Sequence, residues 1–287
     1  MNSTMTQKTA KNVMNSKSTS IEGLIFVSKK IRKSILDLIY RTKGPHIGSA
    51  FSCVELLIGL YLRFLNVAPA NTSNPERDRF IFSKGHASPA LYAILFECGF
   101  LSDDDLAGLA VNGGCLEQHP NKDIAKGIEV STGSLGHGLA IGVGMALASR
   151  KDGLKHRVCV LISDGELNEG STWEAVLFSA HHRLSNLLLV IDYNKMQALG
   201  TLELAPLKGK FEAFGWACEE IDGHDFPAII EALDRVPFQQ NKPSVIVAHT
   251  TKGKGVSFME NSLYWHYSCP NDKEYALALD ELSNNAL

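Results

Sequence analysis

The chain has 287 residues, 45% of them hydrophobic, with 31 acidic against 28 basic side chains. That size supports one large or two small domains, and the near balance of charge, with no run of Lys/Arg, argues against a nucleic-acid or polyanion binder. Six cysteines (Cys53, Cys98, Cys115, Cys159, Cys218, Cys269) form no CxxC pair and no apolar run reaches membrane-spanning length, which argues against a disulfide frame, a zinc site or a transmembrane helix.

Residues 1–20 are polar and rich in Ser, Thr, Asn and Lys, with no apolar stretch of the kind a signal peptide carries, and are expected to form a loose tail. A reducing, cytoplasmic setting and a soluble enzyme fit these features. Beyond the tail the pattern is first helical. Apolar spacing predicts helices over 25–41 and 54–64, and over 89–97 with Ser88 as N-cap. A Gly- and Ala-rich segment, GSLGHGLAIGVGMALAS, predicts a closely packed helix over 133–149. From 155 onward, short continuous apolar runs alternate with helical patterns. Strands are expected over 158–162, 186–193, 216–221 and 244–248, and helices over 172–183, 207–214 and 226–235. Continuous apolar strands separated by helices are the pattern of a parallel sheet covered on both faces. The expectation is a doubly wound α/β domain over 21–287, without internal repeats.

Asp164 follows one expected strand and Asn194 the next, so both should project from the carboxyl edge of the sheet, where ligands bind in open α/β folds. A carboxylate and an amide oxygen are hard ligands suited to Mg²⁺, which completes its shell with phosphate oxygens and water. Gly165 would let a diphosphate approach the main chain. Spacing alone leaves the alternative of an ordinary acidic turn open, because Asp and Asn are common loop residues. Neither GxxxxGK[ST] nor a well-placed GxGxxG is present, so a P-loop enzyme or a Rossmann dehydrogenase fits poorly. His46, His86, His119 and His266 lie in Gly-, Pro- or Ser-rich or irregular segments suited to site loops, although each taken singly reads first as a surface histidine. The segment HTTKGKG (249–255) reads either as a phosphate-binding turn or as a basic loop after a strand.

SDGELNEG (163–170), followed by Asn194 about thirty positions after Asp164, resembles the thiamine-diphosphate motif. DRFIFSKGHA (78–87), STGSLGHGLAIGVGMA (131–146) and HTTKGKGVSFMEN…WH (249–266) resemble transketolase in both order and spacing. The likeness spans roughly 21–280 and covers only the diphosphate-binding half of that family, whose full-length members are more than twice as long. It implies the N-terminal subunit of a split transketolase. The pyrimidine-binding domain, with the glutamate that activates the cofactor, would then sit on a separate C-terminal subunit in an α₂β₂ assembly, and this chain would be inactive alone.

Carried over residue by residue, the resemblance implies that Asp164, Asn194 and the Met196 carbonyl ligate Mg²⁺, with Ca²⁺ or Mn²⁺ as substitutes. Gly165 and His86 would contact the diphosphate. Gly133 and Leu135, with Ser134 between them, would meet the aminopyrimidine. His46, His119 and His266 would face the reacting carbon and the donor hydroxyls, with His266 also near the diphosphate, and Glu169 would lie at a subunit interface. The implied chemistry is transfer of a two-carbon ketol unit from a ketose to an aldose, with thiamine diphosphate as electron sink. Ser163, Ile47, His137 and Tyr267-Ser268-Cys269 depart from the family pattern, and Tyr267 beside His266 would reshape the donor pocket. A ketol transferase dedicated to a specialised sugar or natural-product pathway is therefore an alternative, as is the α-type subunit of a thiamine-dependent 2-oxo-acid decarboxylase or dehydrogenase.

Overall fold

The computed structural model describes residues 19–197, 200–201 and 203–284. Most of the expected tail, residues 1–18, lies outside the described residues. Ser20 already belongs to the first helix, α1 (Ile21–Thr42), whose start it caps by accepting the Gly23 N–H at 3.2 Å. Then follow α2 (Ile47–Ser52), α3 (Val54–Gly59), β1 (Arg79–Phe82), α4 (Ser88–Glu97), α5 (Asp103–Ala107), α6 (Gly138–Lys151) and β2 (Val158–Ser163). The chain continues through α7 (Gly170–His181), β3 (Leu187–Tyr193), β4 (Met196–Gln197), β5 (Gly200–Thr201), α8 (Leu207–Ala213), β6 (Ala217–Asp222), α9 (Phe226–Asp234), β7 (Ser244–His249) and α10 (Asp272–Asn284).

Five strands form one parallel sheet in the order β1-β2-β3-β7-β6, and β4 and β5 pair separately as a small antiparallel ribbon. Side chains alternate across a strand, so each strand feeds two cores. Cys159, Leu161, Leu188, Val190 and Ile246 pack with α1, α3, α4 and α9, whereas Val158, Val160, Leu187, Leu189 and Val245 pack with α6, α7 and α8. This is the doubly wound α/β class expected from the apolar runs. Among the described residues no helix is long and apolar enough to cross a membrane.

Three local expectations are corrected. The helix expected from 133 begins at Gly138, because Gly133 and Gly136 take positive φ (149° and 84°) and turn the chain first. Ser88 is the first helical residue rather than the cap, and its hydroxyl donates to the Gln118 carbonyl. The helix from Val54 widens at Leu60–Phe64 into a π turn. The helices α2, α5 and α10 and the strand β1 were not anticipated by the spacing.

Candidate functional site

The registers of the central strands set the site. Ser163 pairs with Asp192, and Tyr193 pairs with His249, so β2, β3 and β7 end nearly together and release their loops along one edge. Asp164 leaves β2 buried, and its two oxygens accept the N–H groups of Gly165 (2.8 Å) and Lys195 (2.6 Å). Lys195 adopts a left-handed conformation (φ 63°) that folds the chain after β3 back against that carboxylate. Asn194, next in line and also buried, accepts the Met196 N–H through Oδ1 at 3.2 Å. Asp164 and Asn194 therefore lie together at this edge, with Met196 beside them. A Cβ placed on Gly165 would meet nothing nearer than 3.8 Å, so the fold itself does not demand glycine there, which leaves the space open to a ligand.

Four histidines converge beside this edge. His46 (φ 72°) sits at the start of α2, with its ring centroid 5.1 Å from His86, 5.4 Å from His266 and 5.3 Å from the largely exposed Tyr267. His46, His86, His119 and Tyr267 line a cleft of about 170 Å³ together with Ser88 and Gln118. Burial holds His46 and His266 down at about 4 and puts His86 well below its usual range, with Lys252 reinforcing all three shifts. These rings are neutral at physiological pH. The buried Nδ1 of His46 has no hydrogen-bond partner among the described residues.

The turn of residues 133–137 closes the other side. A Cβ on Gly133 would lie 2.9 Å from Cδ2 of His119, and one on Gly85 would strike the main chain at Thr132–Gly133. Glu166, fully buried, accepts the Gly136 N–H at 3.0 Å and the Ser83 hydroxyl, pinning this turn to the ends of β1 and β2. Ser134 and Leu135 lie within it, and Ser134 is exposed. Glu169 is exposed beside Gly136. His137 is exposed, with Nδ1 donating to the Leu135 carbonyl at 3.2 Å, and Ile47 is buried in the core.

The sequence reading missed the charges beneath the site. Lys84 and Asp192, both fully buried, form an ion pair, and Asp192 also accepts hydroxyls from Ser52 (2.5 Å) and Thr250. Lys84 holds Asp192 below the usual carboxylate range in spite of burial. Lys252 is 1% exposed and forms no ion pair among the described residues; burial, then the charge of Lys84, lowers it to about 8. Its Nζ lies 2.6 Å from His266 Nδ1. An ammonium can only donate, so the proton of the neutral His266 ring sits on Nε2.

Burial and the nearby Asp192 raise Asp164 to about 7, which marks a carboxylate without a sufficient counter-charge. No group of three His, Cys, Asp or Glu side chains is gathered for a metal among the described residues. One carboxylate, one amide oxygen and one main-chain carbonyl nevertheless suit a hard cation that shares its shell with phosphate, and the under-compensated Asp164 favours that cation. The donors present therefore fit magnesium diphosphate.

A carboxyl-edge site that pairs an under-compensated acid with a buried lysine lacking an acidic partner suits a ligand carrying both a cation and a phosphate, as in diphosphate-binding α/β domains. The family described as transketolase, thiamine diphosphate binding domain, matches residues 26–285. The chain belongs to this transketolase family. It is 39% identical over 267 residues to one subunit of the apulose-4-phosphate transketolase of Phocaeicola vulgatus, covering 92% of this chain and 95% of that one. It is 41% identical over 276 residues to the subunit of the same name in Actinobacillus succinogenes, covering 94% and 100%. It is also 41% identical to the SqwG subunit of the 6-deoxy-6-sulfo-D-fructose transketolase of a Clostridium species, covering 88% and 93%. Among solved structures, transketolase from Leishmania mexicana superposes with a TM-score of 0.85 at 27% identity, with 91% of this chain covering 41% of that one.

Proposed function

We propose that this chain is the diphosphate-binding subunit of a split ketol transferase that moves a two-carbon unit from a ketose to an aldose. The observation that carries this reading is one of length. Relatives named as single subunits of a transketolase match the chain nearly end to end, whereas it spans 41% of a full transketolase chain. A separate C-terminal subunit would supply the pyrimidine-binding half, in an α₂β₂ assembly. Six free cysteines suit a reducing, cytoplasmic setting. The names of the relatives, which refer to apulose 4-phosphate and 6-deoxy-6-sulfo-D-fructose, support a dedicated sugar pathway as the source of the substrate.

When bound, thiamine diphosphate supplies the electron sink that lets the bond beside a ketose carbonyl break. The residues of this chain would bind and orient. Asp164, Asn194 and the Met196 carbonyl would hold Mg²⁺, while Gly165, His86 and Lys252 would face the diphosphate. Gly133, Ser134 and Leu135 would pack at the aminopyrimidine. The neutral rings of His46 and His266, with His119 beside them, would exchange hydrogen bonds with donor hydroxyls and take up or return protons there. Glu169 would face a neighbouring subunit.

The test combines the purified chain with its partner subunit, Mg²⁺ and thiamine diphosphate, and offers a panel of ketose donors and aldose acceptors. Ketol transfer by the mixture, none by either chain alone, and loss of calorimetric cofactor binding in Asp164→Ala are expected. Decarboxylation of 2-oxo acids with no ketose cleavage would transfer the chain to the decarboxylase reading.

A further inference from the structure

The loop after β7 is gripped on both sides of Lys252 by groups that never reach the cleft. On one side the Thr251 N–H donates to Nε2 of His224 at 2.8 Å. On the other, Arg32 Nε donates to the Lys254 carbonyl at 2.8 Å. Both grips lead to the same carboxylate. A main-chain N–H can only donate, so His224 Nε2 is unprotonated, and the ring proton on Nδ1 is given to Glu55 Oε2 at 2.9 Å. Glu55 also receives both terminal nitrogens of Arg32, at 2.6 and 2.8 Å, and the fully buried guanidinium donates as well to the Phe51 carbonyl at 3.2 Å. Main-chain bonds complete the cradle, from Gly253 N–H to the Gly48 carbonyl (3.0 Å) and from Asn261 N–H to the Lys252 carbonyl (2.8 Å).

Lys252 needs such a hold. A buried ammonium with no acidic partner gains by swinging out to water. Its stem instead lies along Gly48, where an added Cβ would come within 3.1 Å of Lys252 Cγ. We propose that Arg32, Glu55 and His224 form a buried clamp that positions Lys252 against His266 and the diphosphate, with His224 as the positioning residue nearest the loop. This rests on the reading of the site given above.

The test uses the chain assembled with its partner subunit and two substitutions. His224→Leu keeps bulk and removes both contacts, whereas His224→Gln keeps one donor and one acceptor. Amide hydrogen exchange over residues 250–256 reports the loop, and calorimetry with Mg²⁺ and thiamine diphosphate reports affinity. In His224→Leu, loop exchange should rise and the cofactor Kd weaken by about tenfold, the scale of one lost hydrogen bond to a charged network. His224→Gln should restore both. Unchanged loop exchange in His224→Leu, faster exchange with an unchanged Kd, or a glutamine variant no better than the leucine one would each overturn the clamp. A wild-type assembly that binds no cofactor overturns the site reading and the role of His224 with it. If His224→Leu does not fold, His224→Asn supplies the same comparison, with smaller shifts expected in both readouts and no shift overturning the proposal.

Discussion

Glu55→Gln tests the energetics of the clamp through pH. Burial pushes the Glu55 carboxyl up, but Arg32 and His224 more than offset this and bring it down to about 2. An unfolded glutamate titrates near 4.3, so the displacement corresponds to roughly 3 kcal/mol of stability from the ionised form. That agrees with the roughly 3–5 kcal/mol lost when one partner of a buried pair is removed. A depressed folded value means that the stability is fully present above the unfolded value, near pH 4.3. It is lost as pH falls toward about 2. In Glu55→Gln the uncharged amide leaves the buried Arg32 without its counter-charge at every pH. Urea unfolding of the full chain should show a wild-type advantage of about 3 kcal/mol at pH 7 and pH 5 that shrinks steadily between pH 4.5 and 2. Other acids titrate in both proteins and cancel in the difference. A gap that stays constant over that range, or one below about 1 kcal/mol at pH 7, would refute the assignment of a buried ionised clamp.

Two further substitutions probe the site. Lys252→Met should weaken cofactor affinity in calorimetry by about tenfold or more. It should also raise the unfolding free energy of the cofactor-free chain at pH 7, measured in urea, by up to about 3 kcal/mol, because it removes an ammonium that burial holds near 8; a less stable variant with full affinity would contradict both points. Gly133→Ala must place a Cβ at φ 149° and 2.9 Å from His119. It should cost about 1 kcal/mol in thermal unfolding and lower kcat/KM for ketol transfer more than it lowers cofactor affinity; normal turnover would show that His119 is not set by this contact.

Much of the architecture could be read from the chain because it depends on continuous apolar runs. The runs at Val158–Ser163 and Leu187–Tyr193 are buried at every position, as a strand covered on both faces must be. β1 was missed because RFIF offers only three apolar residues between Asp78-Arg79 and Ser83-Lys84, and its identity as a strand comes from pairing with β2 some eighty positions away. The helix expected at 133 failed because small residues suit helix packing and turns alike, and the positive φ of Gly133 and Gly136 is not visible in composition. Asp164, Asn194 and the histidines could be read from motif and spacing. The charges under them could not, since Lys84 meets Asp192 at 108 positions, and Arg32 meets Lys254 at 222. One signal was available. Asp192 interrupts an apolar strand, and an acid in such a place requires a buried cation.

The charges also explain why this edge is suited to a metal diphosphate rather than to a simple anion. Lys84 neutralises Asp192, and the buried Glu166 is held by the Gly136 N–H and the Ser83 hydroxyl. Asp164 and Lys252 remain, displaced in opposite senses to about 7 and about 8, in each case mainly because burial disfavours the charged form. A free phosphate would relieve Lys252 and worsen the position of Asp164, and a lone divalent cation would do the reverse. A divalent cation joined to a diphosphate would answer both at once, Asp164 and Asn194 holding the cation and Lys252 and His266 facing the anion. Whatever binds the folded chain but not the unfolded one raises its stability by mass action. Magnesium and thiamine diphosphate together should therefore stabilise the assembly by more than the sum of their separate effects.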